Sequence, residues 1–491
     1  MQRRTAAAAH DEGAPILTQD KVSMRKTRRK RVSSHAAYSV REIVSLFLAL
    51  CVMLVCIVFV AFKISSTVDN HSGHMHYPRK AEAAGESREG NSLPYNPIYQ
   101  VPEVHPSVGD RSDRYAELRK TIDPLLPDDA TRSLTAMSEL RTITYTTQSM
   151  DEHNSDQVPY DIMDCPDTPP AGYPFAWNIM NILQSWPPDD PTPRPNIYQG
   201  LCVFDFQKDF TKALAYRTAE KPFVVVNDPA IAKSAERWNI PGYMNQLLGD
   251  EEHRCEYSPN NHFMYYTPLP NKQQHVRGKK KVPAGWTAPT QKMWMPYQDW
   301  LDHANVTMDK LGPGNPHWYY RLIGCGVGMG NDGHCDKSAS EYLYDELPFF
   351  QPKEGLYLAE PDTQMGIHCR FGMRGVIAEN HYDGSRNTIA VLKGSRRYIL
   401  THPDQCSKLA LYPKGHPSGR HSAVDWSHPD LEAYPEFASA KANEIILQPG
   451  ELLYLPTEWF HFIVSLELNF QCNTRSGIGP EYQSIIRSCG F

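Results

Sequence analysis

No Cys-x-x-Cys pair occurs in the 491 residues, and the glycine-rich run Gly326–Gly333 lacks the Gly-Lys-Ser/Thr ending of a phosphate cradle. The first absence removes the commonest structural zinc frameworks. The second removes the nucleotide-binding loop. No internal repeat is visible. Basic residues are also scarce where a nucleic-acid groove would need them. Residues 1–42 carry ten Lys/Arg against four Asp/Glu, whereas the chain beyond Lys63 carries 39 against 52. The bulk is acidic, and no nucleic-acid partner is expected.

Long apolar runs are nearly absent. The exception is Ile43 to Phe62, in which only Ser45 is polar. As a helix this run covers about 30 Å, the hydrocarbon thickness of a bilayer. It is too long, and too far from the start, for a cleavable signal. The run Arg25-Lys26-Thr27-Arg28-Arg29-Lys30-Arg31 precedes it and only Lys63 follows closely. That bias predicts a cytosolic N-terminus and a luminal bulk, the topology of a single-pass type II membrane protein of the endoplasmic reticulum or Golgi. Asn70-His71-Ser72 and Asn305-Val306-Thr307 are glycosylation acceptors on that side. Nine of the eleven cysteines lie outside the apolar run. An odd number leaves one thiol free or paired between chains, and Cys325–Cys335 is the expected disulfide.

Four segments follow from this: a basic tail over 1–42, a spanning helix over 43–63, a stem with a short helical patch over 64–155, and a folded domain over 156–491. Asp156 to Arg194 is proline-rich, suited to covering a domain face or joining two domains. Lys221 to Val226 reads as a buried strand, and Ile231 to Trp238 as a short helix stopping before Pro241-Gly242. Farther on, Thr388–Leu392, Arg397–Leu400, Glu444–Leu447, Leu452–Leu455 and Phe462–Val464 are short apolar runs with Gly and Pro between them. Such spacing predicts a mainly β fold, a barrel or double sheet.

Four His-x-Asp triplets occur. His402-Pro403-Asp404 and His428-Pro429-Asp430 place proline between the two side chains, which suits no central strand. His334-Cys335-Asp336 follows the glycine-rich loop with no clear strand leading out. His381-Tyr382-Asp383 is followed by a clear strand pair, and in an extended chain its first and third side chains share a face. With His461 it completes a two-histidine, one-carboxylate set that binds Fe(II) on one face.

Phe371-Gly372-Met373-Arg374-Gly375, His381-Tyr382-Asp383 with Asn387, and Lys393-Gly394-Ser395-Arg396-Arg397 form an ordered series. It continues through Val424-Asp425-Trp426, Gln448-Pro449-Gly450-Glu451, Leu455-Pro456, Trp459-Phe460-His461 and Gln471-Cys472-Asn473. In order and spacing the series resembles the JmjC group of cupin-fold, Fe(II)- and 2-oxoglutarate-dependent oxygenases, especially its protein-hydroxylase branch, over residues 200–480. The resemblance implies a double-stranded β-helix with flanking helices. It also implies His381, Asp383 and His461 as iron ligands, and hydroxylation of a protein or peptide side chain with succinate and CO2 as co-products. Demethylation and a non-catalytic binding module are the alternatives.

By position, Arg396 falls where that branch commonly has lysine and would clamp the distal carboxylate of 2-oxoglutarate. Arg397 should face the other way by strand alternation. Asn387 and Asn473 match positions near the cosubstrate and iron, with Asn469 the competitor. Tyr320 would supply a further hydrogen bond, with Tyr319 its competitor under a one-residue slip. Ala378 stands where relatives often have a threonine that contacts the cosubstrate. Substrate identity, membrane compartment and oligomeric state stay open.

Overall fold

The computed structural model describes residues 111–127, 158–194, 196–267, 286–327 and 341–491. The basic tail, the expected spanning helix, Asn70, His334 and Cys335 lie outside these residues. Among the described residues no helix is long and apolar enough to cross a membrane.

The strands, in chain order, begin with β1 (Trp177–Asn178), β2 (Val203–Asp205), β3 (Phe223–Val226), β4 (His253–Ser258) and β5 (His262–Phe263). There follow β6 (Gln291–Met295), β7 (His317–Gly324), β8 (Ile367–Gly372), β9 (Ile377–Tyr382) and β10 (Asn387–Lys393). The last are β11 (Arg396–Thr401), β12 (Lys441–Leu447), β13 (Leu452–Leu455), β14 (Phe460–Ser465) and β15 (Asn469–Arg475). They form a six-stranded sheet, ordered β1-β12-β11-β14-β9-β5, and a nine-stranded sheet, ordered β2-β3-β13-β10-β15-β8-β7-β4-β6. From β8 to β15 chain-consecutive strands alternate between the sheets, except that β11 and β12 are neighbours in the smaller one, as a jelly roll allows.

Period-two alternation separates two cores. On β11, Tyr398 and Leu400 join the core shared with the larger sheet, while Ile399 joins Phe462 and Trp426 in a second core outside the smaller sheet. Arg396 and Arg397 likewise part company. Arg397 stacks on Trp186 at 4.2 Å and donates to Glu444 at 2.6 Å. The proline-rich segment around Trp186 therefore covers the outer face of the smaller sheet.

β10 is buried from Asn387 to Leu392, and the helix Pro229–Asn239 closes its outer side. Asp228 caps that helix by accepting from Ala230 N–H, Pro229 occupies its first turn, and Asn239 Nδ2 donates to Leu392 O at 2.6 Å. Gly394 turns the chain from β10 into β11 at φ +62°, where a Cβ would collide with Leu468 O, so only glycine fits.

The folded unit begins earlier than residue 156. The helix Arg111–Ile122, expected as part of the stem, buries Tyr115, Leu118 and Ile122 in the main core. Its Arg119 meets the fully buried Glu346, which also receives Arg237, Trp238 and Tyr243. Disulfides join Cys165–Cys202, Cys369–Cys472 and Cys406–Cys489, and the buried Cys255 is the free thiol among the described residues. Cys325 is disulfide-bonded; Cys335, its expected partner, lies outside the described residues.

His262 pins β5 to β9. Its Nδ1 meets Glu379 Oε1 at 2.5 Å and its Nε2 lies 3.6 Å from Asp189 Oδ1. Burial alone would lower this imidazole, but the bonds to Asp189 and Glu379 push it up to about 10. A raised folded-state pKa contributes stability that is complete below the unfolded value near 6.5 and lost as pH rises through 10. Denaturant unfolding should therefore show stability falling across that window, by at most about 5 kcal/mol at ~1.4 kcal/mol per unit. His262→Asn should remove that slope.

Candidate metal centre

The antiparallel register of β9 and β14 sets His461 directly opposite His381, with ring centroids 4.3 Å apart. Asp383 follows the end of β9. One ligand atom from each of the three lies within 4.8 Å of the other two.

Each imidazole is oriented by the carbonyl two residues before it. His381 Nδ1 bonds Glu379 O at 2.7 Å, and His461 Nδ1 bonds Trp459 O at 3.0 Å. Carbonyls only accept, so Nδ1 carries the proton in both rings and Nε2 keeps its lone pair for a metal. Burial, reinforced by His461 and His421, holds His381 well below its ordinary value; burial also lowers His461. Both rings are neutral, as ligation requires. Burial would raise Asp383, but the Arg475 guanidinium beside it holds its carboxyl well below the usual range.

Both oxygens of Asp383 are oriented. Arg475 Nη1 donates to Oδ1 at 3.0 Å and Asn387 Nδ2 to Oδ2 at 2.9 Å. Asn387 Oδ1 accepts from Asn473 Nδ2 at 2.9 Å, and Asn473 Oδ1 accepts from Arg370 Nη1 at 3.1 Å. The two asparagines expected near cosubstrate and iron thus form a relay from Arg370 to the carboxylate. A two-histidine, one-carboxylate set of neutral imidazoles and an ionised acid fits Fe(II).

Two expectations need correction. Arg396 does not reach the cavity wall: its guanidinium is fully buried and bonds Asn469 Oδ1, Gln471 Oε1 at 2.6 Å and Arg370 O at 3.2 Å. It meets the cavity only through Gln471, and Asn469 is taken up in holding it. Gly372 allows this, since a Cβ there would sit 3.2 Å from Arg396 Nη2. The guanidiniums that do face the cavity are Arg370 and Arg475, the second of them paired with Asp383. Tyr320 is likewise displaced, its ring packed among Trp300, Tyr297 and Phe371. By strand alternation Tyr319 faces the cavity instead. Ala378 does line the cavity.

The inner pocket draws His381, His461 and Ile463 from the smaller sheet and Tyr319, Arg370, Asn387, Gln471 and Asn473 from the larger, so the site lies between the two sheets. It opens into an outer cavity of about 260 Å³ that adds Arg254, Glu256, Arg321, His368, Arg420 and His421. His421 stacks against His381 at 4.9 Å, and burial pushes it down to about 4. Sequence reasoning missed these side chains. The signal for Arg370 and Arg321 was their period-two placement with Tyr319 and Gln471, readable only once the strand partners are known. Arg420 and His421 carried no strand signal.

A double sheet holding two histidines and an aspartate at its inner face defines a metal-binding β-fold. The chain belongs to the cupin-like domain family, whose model matches residues 211–474. It is similar to tRNA wybutosine-synthesizing protein 5 of Danio rerio, 35% identical over 114 residues, 23% of this chain and 33% of the relative. Lysine-specific demethylase 8 of Xenopus tropicalis is 29% identical over 140 residues, 27% of this chain and 31% of the relative. Jumonji C domain-containing protein 5 of Drosophila melanogaster is 35% identical over 111 residues, 22% and 27% respectively. The chain spans about a third of the length of these curated relatives.

Removing Asn387 should loosen the carboxylate ligand. Asn387→Ala is expected to weaken Mn(II) binding roughly 10- to 100-fold, as loss of an outer-shell partner does. An imidazole must shed its proton to bind metal, and both rings lie below 6.5. In the unsubstituted protein, Mn(II) affinity followed by electron paramagnetic resonance should therefore hold down to pH 6.5 and fall only below it.

Proposed function

We propose that this chain is an Fe(II)- and 2-oxoglutarate-dependent oxygenase that hydroxylates a side chain of a protein or peptide. The observation carrying the reading is the triad itself: two imidazoles with Nε2 free and a carboxylate fixed at both oxygens, open toward a cationic cavity. His381, Asp383 and His461 hold the metal. Arg370 is the anchor for the distal carboxylate, beside Tyr319 and Gln471. Arg396 props Gln471, and Asn387 and Asn473 orient Asp383. When bound, iron would combine 2-oxoglutarate with O2 as the oxidant for a C–H bond, one oxygen atom passing to the substrate and the other to succinate as CO2 is lost.

Hydroxylation is favoured over methyl-lysine demethylation by charge. A methylated ammonium would have to enter a cavity lined by Arg254, Arg321, Arg370, Arg420 and Arg475, which repels a cation. The acidic balance of the bulk chain speaks against RNA as substrate.

Purified protein given Fe(II), ascorbate and 2-oxoglutarate should release succinate, and Asp383→Ala should stop it. Failure to bind either Fe(II) or Mn(II) without oxygen would sink the reading. The topology proposed from the sequence, with this domain in a lumen, is supported by the exposure of Asn305 and Thr307 at the end of the helix Tyr297–Ala304. Glycosidase treatment of the protein from its own cells should lower its apparent mass, and Asn305→Gln should remove the part of that shift due to this residue.

A further inference from the structure

The cationic cavity holds more charge than the proposed chemistry uses. Arg475 is paired with Asp383, and Arg370 is assigned to the cosubstrate. In the outer cavity Arg254, Arg321 and Arg420 remain against one carboxylate, Glu256, which meets Arg254 at 2.5 Å and Arg321 at 2.7 Å. Arg420 makes no close ion pair among the described residues and acts on Asp383 only at longer range; Arg420 Nη1 donates to Tyr382 O at 3.4 Å. Buried Nε–H groups of Arg254, Arg321 and Arg475 lack any acceptor. Unsatisfied buried donors of this kind cost stability unless a ligand meets them.

Two features show that the fold holds this charge in place against local cost. Arg321 on β7 lies directly opposite Arg370 on β8, and like charges at opposed positions destabilise a sheet. Arg420 adopts φ +74°, a left-handed conformation that a non-glycine residue takes only under constraint. The chain has Gly419 next to it yet keeps arginine at the strained position, beside His421 and within reach of the metal centre. Burial and the guanidiniums of Arg475 and Arg370 push His368 down to about 3, which agrees with a positive potential throughout the cavity.

Resting on the oxygenase reading above, we infer that the outer cavity receives an acidic peptide, with an aspartate or glutamate at or beside the oxidised residue held by Arg254, Arg321 and Arg420. Guanidinium forks match a carboxylate with two parallel hydrogen bonds. The cations are gathered inside one cavity, and the chain outside the basic tail is acidic, so a short acidic side chain is admitted where a polyanion is repelled.

The test uses protein loaded with Mn(II) and 2-oxoglutarate without oxygen, so that binding is read apart from turnover. Three pools of short labelled peptides are compared, random except for a central pair drawn from Asp/Glu, Asn/Gln or Lys/Arg. The acidic pool should bind roughly tenfold tighter than the neutral pool, the value of one charged bidentate contact, and rising salt should erode the preference. Arg420→Gly relieves the left-handed backbone, so it should keep the melting temperature and still bind Mn(II) while losing most of the acidic preference. Equal binding of acidic and neutral pools would overturn the inference. So would a short polyuridine oligonucleotide that outcompetes the acidic pool, which would reassign the arginines to a nucleic-acid backbone. If succinate never forms with iron but the acidic pool still binds through Arg420, the oxygenase reading fails and the anion site stands.

Discussion

The antiparallel pairing of β9 with β14 is the constraint on which the site depends. It sets His381 against His461 and leaves Asp383 just past the strand end. The backbone hydrogen bonds of that pair do what no side-chain contact could: they fix the separation of two imidazoles before any metal arrives. The neighbouring carbonyls then select the tautomer. Ligand geometry is a by-product of sheet register, so a metal adds to a preformed site rather than gathering loose chain.

The larger sheet supplies the opposite wall. β7, β8 and β15 present Arg321, Arg370 and Gln471 side by side, since Arg370 is opposed to Arg321 on one flank and to Gln471 on the other. Behind this row Arg396 is locked by Asn469 and Gln471. Buried guanidiniums are costly unless every donor is matched. Every guanidinium nitrogen of Arg396 and Arg397 has a partner, whereas the buried Nε groups of Arg254, Arg321 and Arg475 in the cavity have none. That contrast separates structural charge from charge available to a ligand.

Much of this was legible before the structure. The helix near Ile231–Trp238 and the strands around β10 to β14 were visible as apolar runs bounded by turn formers, because tertiary packing there agrees with local pattern. The triad was legible through its order and spacing. The roles of Arg396 and Tyr320 were not, for a physical reason: side-chain period on a strand is two, so an error of one residue, or the competing offer of a buried amide, reverses what a side chain faces. The start of the folded unit was also misplaced, since a lone helix such as Arg111–Ile122 shows its buried face only when Tyr115 finds Tyr342. Arg420 was invisible because loops carry no periodicity.

Cys369 and Cys472 are opposed residues on β8 and β15, and their side chains lie on the face turned away from the cavity. A covalent bond between directly opposed residues admits a single register for those strands. A slip of one residue in β15 would turn Gln471 and Asn473 outward while Arg370 on β8 stayed in place. The disulfide therefore acts as an index mark. An oxidised chain can present its row of cavity side chains in one way only, while a reduced chain is held to that row by ladder hydrogen bonds and by packing such as that of Phe371 on Phe470.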